Sequence, residues 1–76
     1  MKELVEYIAK ALVEHPEEVS VTERKEGDET VIELRVAASD MGKVIGRQGR
    51  IAKALRAVVK AASTKTDEKV SVDIVQ

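Results

Sequence analysis

Gly46-Arg47-Gln48-Gly49 places one glycine at each end of a two-residue gap between a short helical pattern and a long one. Glycine tolerates positive φ and close backbone approach, so the pair lets the chain turn sharply from one helix into the next. Three of the four glycines in the protein fall within Gly42 to Ile51. The second helix opens on amide N–H groups that have no partner inside the helix. They point into the gap, an arrangement that suits a phosphate. Lys43, Arg47 and Arg50 put positive charge around the same point, and Lys53 lies one turn further along.

The charge distribution agrees with that focus although the net charge is only −1. Residues 1–40 carry eleven acidic and five basic side chains, whereas Met41 to Ser63 carry six basic and no acidic ones. Such segregation focuses a positive patch on an otherwise acidic molecule. With 76 residues the chain is sized for one domain, residues 1–76, near the lower limit for a self-sufficient core. The absence of cysteine removes a disulfide framework and any thiolate metal site. No apolar run approaches the ~20 residues of a membrane span, and the amino terminus does not read as a signal peptide. The expectation is a cytoplasmic protein with no membrane partner.

Glu3 to Glu14 reads as an amphipathic helix with Leu4, Val5, Ile8, Ala11 and Leu12 on one face. Pro16 ends it, and His15 sits at its carboxyl end as a capping or packing residue. Tyr7, the only aromatic, reads as a half-buried packing residue at the edge of the stripe. Val19 to Arg24 and Val31 to Val36 alternate around Gly27-Asp28, which predicts two antiparallel strands with a wet charged face. Ser39 or Asp40 is placed to cap a short helix, Met41 to Ile45, whose Val44 and Ile45 face the core. Arg50 to Ser63 is the strongest helix, with Ile51, Leu55, Val58, Val59 and Ala62 as its apolar stripe. Lys53, Arg56 and Lys60 project from the opposite side, a solvated outer face at 3.6 residues per turn. After a polar connector, Thr64 to Glu68, the alternation of Val70, Val72 and Ile74 gives a third strand. A right-handed crossover makes it parallel to Val31–Val36. The fold class is therefore α+β: a three-stranded mixed sheet with the helices packed on one face.

Val44-Ile45-Gly46-Arg47-Gln48-Gly49-Arg50-Ile51, set in the order α-β-β-α-(GxxG)-α-β, resembles the signature of a type II KH domain. The resemblance covers essentially the whole chain and extends to small bacterial RNA-binding proteins of the KhpA type. It implies a binder of single-stranded RNA that acts as a post-transcriptional regulator or RNA chaperone. It also implies a homodimer, or a heterodimer with a larger KhpB-type protein; read from the residues, exposed apolar side chains such as Val13, Val31 or Val75 are candidates for a contact, and the sequence does not show which surface pairs. The site carried over is Gly42, Lys43, Ile45, Gly46, Arg47, Gln48, Gly49, Arg50 and Lys53. One position departs from the pattern: Ala52 stands where many KH domains have a large aliphatic residue, which bears on the shape of the base-facing groove.

In this reading the loop amides approach the phosphates and the basic side chains add salt-dependent attraction. Gly42, Val44 and Ile45 form a small-to-apolar floor for bases, and the edge of Val31–Val36 supplies hydrogen bonds. With no phenylalanine or tryptophan, aromatic stacking contributes little, which also argues against a sheet-surface RNA reader. The glycine spacing fits neither a nucleotide P-loop nor a dinucleotide fingerprint, so no small-molecule substrate is expected. One histidine, no cysteine and scattered carboxylates give no nucleophile–base pair and no ligand cluster, hence no enzyme, cofactor or metal. The alternatives are a protein-interaction or dimerisation module without nucleic-acid contact, or a binder of single-stranded DNA.

Overall fold

The computed structural model describes residues 1–75. Helix α1 spans Lys2–Leu12 and a 3-10 turn covers Pro16–Glu18. Strands β1 (Ser20–Glu26) and β2 (Glu29–Arg35) follow, then α2 (Met41–Ile45), α3 (Arg50–Thr64) and β3 (Lys69–Val75). The sheet order is β1-β2-β3, with β1 antiparallel and β3 parallel to the central β2. The fold is the expected α+β arrangement, including the parallel return of the last strand.

The strands run longer than their alternation indicates because the hairpin loop is only Gly27-Asp28, with Glu26 paired to Glu29. A loop this short needs positive φ at a central position, and Gly27 supplies it at +65°. Val21, Ile32, Leu34 and Val72 turn one sheet face toward Val5 and Ala9 of α1, Val44 of α2, and Leu55 and Val59 of α3. These residues are nearly inaccessible, and their burial drives the fold.

The helices bury narrower faces than their apolar stripes. In α1 the buried residues are Val5 and Ala9, so Ala11 is exposed and Leu12 is 37% exposed. Tyr7 is 75% exposed, which corrects its reading as a half-buried packing residue. In α3 the buried residues are Ala52, Leu55, Val59 and Ser63, while Val58 is 45% exposed. The apolar residues left over line a shallow groove of about 310 Å³ between the two helices, formed by Ile8, Leu12, Ile51, Ala54 and Val58.

The uncovered sheet face is charged, as expected, but Val31 on it is only 3% exposed and offers no contact surface. Arg24 stands opposite Val31 in register and reaches over the central strand. Its guanidinium pairs with Glu26 at 2.8 Å, with Glu33, and with Asp73 of β3 at 3.8 Å. A long arginine stem can cover an aliphatic neighbour while keeping its head in water. The hydrogen bond to Glu26, followed by that to Glu33, raises the pKa of this arginine. Val13 is half-buried and packs against the core.

Asp40 does not cap α2 with its side chain. Its carboxylate is 1% exposed and accepts backbone hydrogen bonds from Glu14 (3.2 Å) and His15 (3.0 Å). Two main-chain donors satisfy the buried charge. This ties the segment after α1 to the root of α2.

Candidate nucleic-acid interface

The two loop glycines are needed for different reasons. Gly46 ends α2 with φ +76°, and a Cβ there would lie 2.6 Å from Cγ1 and 2.9 Å from the backbone nitrogen of Ile51. Both conformation and space therefore require glycine at this position. The bare Gly46 packs directly against Ile51 at the start of α3. Gly49 has φ +72°, yet a Cβ built on it meets nothing within 4 Å. Its requirement is conformational, and the space above it is open to a ligand. Between them Gln48 also holds positive φ, at 58°. The result is a tight bend into α3, closed by the Gly49 N–H donating to the carbonyl of Gly46 at 3.1 Å and the Arg50 N–H to that of Arg47.

Gly42 presents a third case. It lies inside α2 without positive φ, it is exposed, and an added Cβ would meet nothing. Glycine inside a helix costs about 0.5–1 kcal/mol relative to alanine. The position is bare toward solvent beside the loop.

The basic side chains surround this bend unequally. Arg47, Arg50 and Lys53 are exposed, and among the described residues none has a carboxylate partner. Arg50 Nη2 donates to Gln48 Oε1 at 3.4 Å, which draws these two side chains together. Lys43 differs, since its Nζ lies 3.4 Å from Oε1 of Glu14. Ile45 is half-buried against the core and keeps an accessible edge, whereas Val44 is fully buried and cannot be part of a floor. Ala52 is buried as well, on the inner side of α3. Its small size therefore acts on packing, and Ile51 is the aliphatic residue against the loop.

The far wall also needs correction. β2 is central and paired on both sides, so its backbone cannot supply free hydrogen-bonding groups. The edge strand beside α3 is β3. Arg56 is not turned simply to solvent: its Nε donates to the carbonyl of Val72 at 3.2 Å. With Lys60 it borders a depression of about 360 Å³ against Val70 and Val72. Periodicity alone places Arg56 opposite the core. Only the strand order shows that this face of α3 meets an open sheet edge.

His15, Glu17 and Glu18 bring metal-type ligand atoms within 4.8 Å of one another at the surface. A His15–Glu17 contact of 3.6 Å accounts for part of that closeness. Among the described residues no helix is long and apolar enough to cross a membrane.

The KhpA/KhpB KH-domain family model matches residues 2–74, which includes the bend and all three helices. The chain belongs to this family. Relatives at full length agree. RNA-binding protein KhpA of Clostridium perfringens is 59% identical over 75 residues, covering 99% of this chain and all of that protein. The protein of the same name from Listeria monocytogenes is 45% identical over 76 residues and covers both chains completely. That of Borreliella burgdorferi is 44% identical over 72 residues, covering 95% of this chain and 88% of that protein. The KhpA resemblance and the KH fold are thus borne out. The expectation of a non-enzymatic protein accords with relatives named for RNA binding.

Proposed function

We propose that residues 1–76 form one KH domain that binds single-stranded RNA in the cytoplasm, where it serves as a post-transcriptional regulator or RNA chaperone. The observation that carries this reading is the bend at Gly46 and Gly49, where a Cβ on Gly49 would meet nothing within 4 Å and Arg47 and Arg50 are exposed with no carboxylate partner among the described residues. In it, phosphates of about four nucleotides lie against Gly46, Arg47, Gln48 and Gly49. Lys43, Arg50 and Lys53 supply charge, and Gly42 and Ile45 provide a bare floor for the bases. Arg56 and the β3 edge replace β2 as the far wall.

Replacing Arg47 and Gln48 together by aspartate tests this. Both side chains are exposed and make no core contact, so the variant is expected to melt like the wild type. Its affinity for a labelled single-stranded RNA is expected to fall by about 100-fold or more, since two phosphate-facing positions become repulsive. Retained binding sinks the clamp. Equal or tighter binding to single-stranded DNA of the same sequence moves the assignment to that ligand.

Pairing of two chains, or of this chain with a larger KhpB-type protein, is part of the same proposal. The apolar groove holding Leu12 and Val58 supports it. Val58→Asp is expected to shift the protein to a monomer in sedimentation equilibrium. A monomeric wild type that also fails to bind a KhpB-type protein contradicts this part.

A further inference from the structure

Glu14 belongs to no motif, and its side chain is 72% exposed, so nothing in its own surroundings calls for a carboxylate. Yet Oε1 of Glu14 lies 3.4 Å from Nζ of Lys43, the basic residue of α2 beside the bend. The placement is built into the backbone. The N–H of Glu14 donates to Oδ1 of Asp40 and that of His15 to Oδ2, and Asp40 is 1% exposed. Asp40 immediately precedes α2, so one buried carboxylate fastens the segment after α1 to the helix that carries Lys43. Glu17 and Glu18 follow in that segment and give the rim the same sign of charge. On the other side of the bend, Arg47 and Arg50 have no carboxylate partner among the described residues.

We propose that Glu14 is an internal rival for phosphate at Lys43, positioned by Asp40, and that it limits how much RNA affinity this lysine supplies. The inference rests on the RNA-binding reading. A strand phosphate reaching Lys43 has to displace a carboxylate that repels it, whereas a phosphate at Arg47 or Arg50 displaces only water and counterions. Binding is therefore driven from the α3 side of the bend, and the α2 side is damped. The damping is modest because an exposed ion pair is weak.

Glu14→Gln, measured by fluorescence anisotropy with a labelled single-stranded homopolymer across a salt series, tests the proposal. The variant is expected to bind about two- to fivefold tighter at low salt. Its slope of log affinity against log salt is expected to steepen by up to ~0.7, the increment for one more phosphate contact on a single strand. In a Lys43→Gln background the same substitution is expected to change neither quantity. An unchanged Glu14→Gln variant of a wild type that binds overturns the rivalry alone. A gain of equal size in the Lys43→Gln background also overturns it, since the effect is then a general field and not competition at one lysine. Failure of the wild type to bind at any salt removes the RNA-binding function, and this inference with it.

Discussion

The open sheet face and the bend before α3 both hold arginines, but they use them in opposite ways. On the sheet, Arg24 is surrounded by Glu26, Glu33 and Asp73, and its charge is neutralised where it stands. At the bend, Arg47 and Arg50 stand without carboxylate partners among the described residues, on a stretch from Met41 to Ser63 that contains no acid. Net charge cannot distinguish the two regions. What separates a structural arginine from a ligand-facing one is whether its partner was supplied by the fold. Lys43, paired with Glu14, stands between the two.

The same contrast applies to glycine, and substitutions can break it. Gly46→Ala is expected to have the largest effect on stability, costing about 1–3 kcal/mol, because it adds a clash with Ile51 to a positive-φ strain. Gly49→Ala carries the strain without the clash and is expected to cost less. Chemical denaturation of both measures the difference, and equal losses contradict the packing role given to Gly46. Gly42→Ala is expected to go the other way. It should stabilise the fold by about 0.5–1 kcal/mol, since the helical φ suits alanine and the space is empty. At the same time it should weaken RNA binding severalfold if a strand rests on that position. Stabilisation with unchanged affinity would remove Gly42 from the floor. The smallest effect is expected for Arg24→Gln, which should leave RNA affinity within about twofold. A large change there would mean that the sheet face takes part in binding.

Much of the fold was legible in the sequence because it is encoded locally. Alternation located the strands, helical spacing located α1 and α3, and the glycine pair located the bend. The unread parts depend on contacts distant along the chain. Asp40 looks like a helix cap from its neighbours, but its partners lie 25 and 26 residues away. Arg56 looks solvent-facing by periodicity, yet it reaches Val72 because β3 is an edge strand. Apolar spacing marked Leu12 and Val58 for the core, and the helices simply leave them uncovered. Val31 shows the reverse, a residue read as exposed that Arg24 reaches across. The candidate site was legible where it consists of backbone and glycine. It was not legible where two elements meet, as with Glu14 and Lys43.

The most direct test follows backbone amides by two-dimensional NMR as single-stranded RNA is added. The amides of Gly49, Arg50 and Ile51 are expected to shift first and furthest, with Gly42 and Lys53 following and the strand face around Arg24 and Glu33 unmoved. Shifts centred on that strand face, or on the groove between α1 and α3 with the bend silent, contradict the account.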